Sequence, residues 1–223
     1  MRSLNELVNK TDTTWETIRE WISNSINKVE VLPVKDDINQ KVLYNTQVST
    51  KSALGAVIYN TGGLLIDNGW LRIIGSGHLK LNRDISTWNQ IAPDGKAKLQ
   101  GGSILVADDV VGGFYAINGG AFSGEIGNVF YLAPDTLEWE DLEMGYADFI
   151  KWSFNGNISK FYESFRWNNW EEEVNHLSGN SGILIYPYLW AEGAELNSRS
   201  RKIVPIKELW ELSQDNRLKL GIT

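Results

Sequence analysis

Near the amino end, Trp15, Ile18, Ile22 and Ile26 recur at three- and four-residue steps, which puts them on one face of a helix. Just ahead, Thr13-Thr14-Trp15-Glu16 has the spacing of a capping box: a Thr13 hydroxyl can accept the Glu16 amide proton while the Glu16 carboxylate reaches back. A second helix is expected from Asp36-Asp37 to about Tyr44. Between the two, residues 29–34 contain Pro33 and read as a short strand or extended connection.

From about Ser52 the pattern changes to short apolar runs separated by glycine. Residues 53–59, 64–66 and 70–74 are strand candidates, divided by Thr61-Gly62-Gly63 and Asp67-Asn68-Gly69. Asn-Gly tolerates the positive φ angles that tight hairpins need. After a polar stretch come residues 103–107, 113–117, 128–132 and 137–140. Hairpin-length spacing without intervening helices favours antiparallel pairing over a doubly wound sheet.

Helical spacing returns at Tyr146, Phe149, Ile150 and Phe154, with Gly156 as a stop. Residues 157–165 and 167–177 read as two further helices, and residues 182–189 as a buried strand interrupted at Pro187. Pro205 suits the first turn of a last helix, Ile206–Leu220, ending at Gly221. The expected fold is α+β: a single, mainly antiparallel twisted sheet flanked by N- and C-terminal helices. One domain over 1–223 is expected, with a helical part at 1–50, the sheet at 51–142, and a helical part at 143–223 holding one further strand.

The charge pattern sharpens this picture. The net charge is −7, yet no Lys or Arg lies between Lys98 and Lys151, an interval with nine acids. The remainder of the chain therefore carries a net positive charge. Like charges held together cost stability, and a cationic partner relieves that cost. The competing reading is a solvated surface, or an edge strand using charge to block strand addition. Glu138, Glu140, Asp141 and Glu143, expected in a turn before the helix at Tyr146, are the candidate docking residues. Nucleic acid is not expected as a ligand here, because phosphate binding needs Lys and Arg. The basic run Arg199-Ser200-Arg201-Lys202 reads as a short exposed loop.

The chain has no Cys, which removes disulfides, thiol nucleophiles and thiolate metal sites. Two histidines, His78 and His176, make a histidine-rich zinc site an unpromising reading. No Walker loop, dinucleotide fingerprint or Gly-x-Ser-x-Gly elbow is present, and Gly75-Ser76-Gly77-His78 matches no phosphate loop. Asp108-Asp109 could ligate a divalent ion or act as acid and base, but successive strand residues converge only if a turn begins there. A strand-ending turn continued by Gly112-Gly113 is the simpler account. Trp70, Trp88, Tyr115 and Trp139 are candidate lining residues for a sugar or peptide site. No cofactor or metal is expected. The opening residues lack the apolar core of a signal peptide, and no apolar run approaches membrane-helix length, so a cytoplasmic location without membrane contact is expected.

Three segments carry a family resemblance: residues 54–77 (LGAVIYNTGGLLIDNGWLRIIGSG), 104–120 (ILVADDVVGGFYAINGG) and 127–152 (GNVFYLAPDTLEWEDLEMGYADFIKW). With the opening Met1-Arg2-Ser3-Leu4-Asn5-Glu6-Leu7, they resemble an uncharacterised bacterial domain-of-unknown-function family, number 2625, over nearly the whole chain. More distantly, residues of about 50–155 resemble the SUKH superfamily. The likeness lies in the Gly-Gly step at Thr61-Gly62-Gly63, the strand, glycine turn and aromatic strand over 107–115, the Gly-x-Val-aromatic strand at 127–130, and the aromatic helix at 146–152. Many SUKH members are immunity proteins that neutralise bacterial toxins, often nucleases; others are fungal regulatory adaptors. The resemblance implies a non-enzymatic protein-binding domain, of immunity type, that neutralises a basic toxin. A small-ligand or carbohydrate-binding module, or an enzyme using Asp108 and Asp109, is the alternative, and a housekeeping role is a third.

Overall fold

The computed structural model describes residues 1–9, 11, 13–35, 37–91 and 101–222. In chain order the elements are α1 (Leu4–Leu7), α2 (Thr13–Ser23), β1 (Val29–Leu32), α3 (Ile38–Thr46), α4 (Ala53–Asn60), β2 (Gly63–Ile66), β3 (Leu71–Ile74), α5 (Ile85–Trp88) and β4 (Ser103–Asp109). They continue with β5 (Phe114–Asn118), β6 (Asn128–Leu132), β7 (Trp139–Gly145), α6 (Tyr146–Asn155), α7 (Ile158–Phe161), α8 (Trp170–Asn175), β8 (Ser181–Tyr186), β9 (Ser200–Pro205) and α9 (Ile206–Leu220).

Strands β1 to β7 form one antiparallel sheet in sequence order. The β2–β3 turn shows why sequence dictates this local pairing. Asp67, Asn68 and Gly69 all take positive φ, at 51°, 59° and 85°, a conformation that Asn, Asp and Gly adopt most readily. The Trp70 amide then closes the turn on the Asp67 carbonyl at 3.1 Å. A bulge between Leu105 and Ala107 shifts the β4–β5 register.

The pleat gives the sheet two apolar faces. On one, Leu64, Ile66, Leu71, Ile73, Tyr115 and Tyr131 join Val57, Ile58, Phe149, Ile150 and Phe154 from α4 and α6 in the main core. On the other, Leu105, Phe114, Ala116 and Leu132 pack with Val204, Ile206, Leu209 and Trp210 from β9 and α9. Helix α6 buries the four residues its spacing marks, Tyr146, Phe149, Ile150 and Phe154, and is capped at Gly156. Helix α9 is entered at Pro205 and stopped at Gly221, whose φ is 70°.

Several elements depart from expectation. Residues 53–59 form α4, not a strand. The run is apolar on all sides, so periodicity does not separate a buried helix from a buried strand. The distinguishing signal is Ser52, whose hydroxyl caps the Gly55 amide at 3.1 Å. Thr61-Gly62-Gly63 consequently joins a helix to β2. Strand β7 starts at Trp139 and runs to Gly145, because Leu137 still belongs to the preceding turn with φ 59°. The Arg199-Ser200-Arg201-Lys202 run is no loop: Ser200 to Lys202 open β9, which pairs with β8 from Tyr186↔Ser200 to Ser181↔Pro205. A second, two-stranded sheet therefore accompanies the main one, and the polar and basic residues that open β9 disguise it as a loop. Helix α2 begins at Thr13 itself, and the preceding residue lies outside the described residues, as does Asp36. Ile18 is buried, but Ile26 lies past the helix end and is exposed.

Candidate functional site

Strand β4 ends on two aspartates, and the pleat sends them to opposite faces rather than together. Asp108 lies in register with Arg72 of β3. Arg72 Nη2 meets Asp108 Oδ1 at 2.6 Å, and Arg83 Nη1 meets Oδ2 at 2.5 Å, all three side chains being buried. Arg72 also donates to the carbonyls of Ser181 and, at 2.8 Å, Asp109. Arg83 donates to the Gly179 carbonyl at 2.9 Å. This trio fastens the segment entering β8 onto the main sheet. Burial pulls Arg83 down to about 10, with the Asp108 carboxylate opposing that shift.

Asp109 occupies the helical face. Its Oδ1 accepts from the Val111 amide at 3.0 Å and the Gly113 amide at 2.8 Å, and its Oδ2 accepts from the Tyr131 hydroxyl at 2.8 Å. Burial nevertheless raises Asp109 to about 6, against the Gly113, Tyr131 and Val111 donors. A Cβ at Gly113 would overlap the Asp109 carboxylate and the Tyr131 ring, so this close approach requires glycine. Tyr131 stacks on Tyr115 at 4.6 Å, and the Tyr115 and Tyr162 hydroxyls share a hydrogen bond. Burial holds all three phenols well above the usual tyrosine range, so they stay neutral donors.

Of the four aromatics singled out, Tyr115 and Trp70 belong to the interior. Trp70 packs against Tyr162, Trp167 and Trp170 at 5.6, 5.8 and 5.0 Å. The Arg166 guanidinium lies over this group, 4.0 Å from Trp170 and 4.9 Å from Trp70, and pairs with Asp67 at 2.5 Å. The protein's own arginine thus fills an aromatic cage. Trp88 is half-buried and lies under Arg83 at 4.9 Å. Trp139 reaches a cleft of about 510 Å³ shared with Glu138, Phe122, Phe130 and Arg217.

Glu140, Asp141 and Glu143 lie on β7, the outer strand of the main sheet, and Glu138 just precedes it. Glu138, Glu140 and Glu143 are exposed, whereas Asp141 accepts from Asn128 Nδ2 at 3.0 Å and from the Glu143 amide at 2.8 Å. Asp141 therefore serves a bulge in which Glu143 has φ 53°. Glu140 is raised from its ordinary value first by partial burial and then by the charges of Asp135 and Glu138. Among the described residues, no ion pair engages Glu138, Glu140, Asp141 or Glu143. No group of three or more Asp, Glu or His that could hold a metal occurs among the described residues, and no helix there is long and apolar enough to cross a membrane.

The structure also brings forward residues the sequence reading passed over: Arg72, Arg83, Tyr131, Tyr162 and Arg166. One signal was available. Arg72 is the single charge in the apolar run Trp70-Leu71-Arg72-Ile73-Ile74, and a charge inside a buried strand requires a partner.

The chain is thus an α+β protein with a seven-stranded antiparallel sheet, a buried ionic centre and an acidic outer strand. It belongs to the family described as protein of unknown function DUF2625, whose model matches residues 4–209. It is 45% identical over 213 residues to the putative uncharacterized protein YbfG of Escherichia coli strain K12, covering 95% of each chain. It is 38% identical over 189 residues to an uncharacterized protein of Haemophilus influenzae strain Rd, covering 85% of this chain and 83% of that one.

Proposed function

We propose that this chain is a non-enzymatic protein-binding domain whose acidic β7 edge docks a basic protein. The observation that carries the reading is the group Asp135, Glu138 and Glu140 at the entry to an outer strand, where partial burial and then the two neighbouring acids raise the proton affinity of Glu140, and where Arg217 beside Glu138 offsets only part of the negative charge. Folding tolerates this repulsion, and a cationic surface would relieve it while steering encounter. Charge on an outer strand also discourages strand addition, and the β7 bulge acts in the same direction, so docking through side chains is favoured over added backbone pairing.

The enzyme or ligand reading built on Asp108 and Asp109 loses ground, because both carboxylates are sealed inside and face apart. The finer form of the proposal, an immunity-type protein neutralising a basic toxin, draws its support from the SUKH resemblance. Cells of the source organism provide the test. The wild-type chain is expected to retain a basic protein that the triple variant Glu138→Gln, Glu140→Gln, Glu143→Gln releases. Identical retained proteins for the two chains would leave the acids as a solubilising surface.

A further inference from the structure

At the other end of the main sheet a second cleft, of about 520 Å³, carries the opposite charge. One cross-strand row, Glu30–Leu65–Arg72, forms its floor, and residues 175–179 contribute to its lining. Lys28 and Lys80 also line it, so with Arg72 the cationic groups outnumber the lining carboxylate of Glu30 in a protein that is acidic overall. Lys28 Nζ rests on Asn68 Oδ1 at 2.8 Å and Lys80 Nζ on Glu30 at 2.5 Å, and both lysines are exposed and can swing to a ligand.

The floor adds an independent observation. Arg72 is 1% exposed, and its Nε–H is buried without a hydrogen-bond partner. That donor is closed off from the cleft, so Arg72 acts on an anion bound there through its charge and not through a hydrogen bond. Behind it two arginines, Arg72 and Arg83, face one carboxylate, Asp108, which leaves positive charge on this face of the sheet.

We infer that this cleft binds a small organic phosphate. Both terminal nitrogens of Arg72 are committed to protein acceptors, so the cleft offers no free guanidinium fork for a planar carboxylate. What it offers is mobile ammonium groups, point charges suited to a tetrahedral dianion. Leu65, Leu79 and Leu177 supply apolar wall for the organic part. The volume falls within the range of small-molecule sites, roughly 300–1,000 Å³.

Phenyl phosphate is the probe, followed by amide shifts of Gly69, Lys80 and Gly179 in the full chain, with benzoate as the carboxylate control. Saturable shifts are expected with a dissociation constant below about 1 mM. Binding should weaken at least about tenfold in Lys28→Ala/Lys80→Ala and stay unchanged in Lys207→Ala/Lys219→Ala, where the lost charges are also exposed lysines. Absence of saturation, equal binding of benzoate, or undiminished binding by the first double variant would overturn the inference. The β7 triple variant should bind phenyl phosphate as the wild type does, which separates this result from the fate of the docking proposal.

Discussion

Arg72 and Asp108 face each other across the β3–β4 ladder at 2.6 Å, both closed off from solvent. Arg83 completes the trio from the segment between β3 and β4, and the two arginines reach the Ser181 and Gly179 carbonyls. Removing one partner of a buried pair leaves the other charge stranded. Asp108→Asn is therefore expected to lower unfolding free energy by about 3–5 kcal/mol in urea titrations. A change within about 0.5 kcal/mol, the size typical of surface substitutions, would show that the trio does not hold β8 to the sheet.

Asp109 sets a pH dependence of the opposite sign to that of an ordinary paired carboxylate. Its folded value, about 6, lies above its ordinary 3.8, so between these pH values the folded chain holds more of this proton than the unfolded chain. The contribution favours folding below about pH 4 and is lost as pH rises through about 6, to an extent of about 3 kcal/mol. Asparagine keeps an acceptor for the Val111 and Gly113 amides. The stability difference between wild type and Asp109→Asn should therefore move against the wild type from pH 4 to pH 7. A difference that is flat with pH would contradict this.

The cage around Arg166 predicts that lysine cannot substitute. Arg166→Lys can retain a charge for Asp67 but loses the planar stacking on Trp170 and Trp70. A loss of about 1–2 kcal/mol is expected, with altered tryptophan fluorescence. Wild-type stability together with wild-type emission would mean that the stacking contributes nothing.

What the sequence revealed follows the physics of each element. The antiparallel order was legible because Asn68-Gly69 fixes a turn and no helix-length spacer separates β4 through β7. Helix α6 was legible because its buried face repeats at helical steps. Helix α4 was not, since an apolar run buried on all sides erases periodicity. Strand β9 was not, since its partner β8 lies beyond a long connection and it opens on the polar and basic run Ser200-Arg201-Lys202, of which Arg201 turns in over Trp167. Asp108 and Asp109 attract attention in any linear reading, but their roles depend on Arg72, Arg83 and Tyr131, which only tertiary pairing brings to them. The acids at 138–143 were visible as a charge run. That they line an outer strand, and that Asp141 is tied to Asn128, was not.

The docking role of β7 is tested most directly by placing a photo-activated crosslinker at position 140 and, separately, at Lys51, an exposed position between α3 and α4. In an extract of the source organism, position 140 is expected to capture a basic protein in low salt. That adduct should fade as added salt shortens the Debye length below about 8 Å, and position 51 should not yield it. No adduct from position 140, or the same adducts from both positions, would contradict the account.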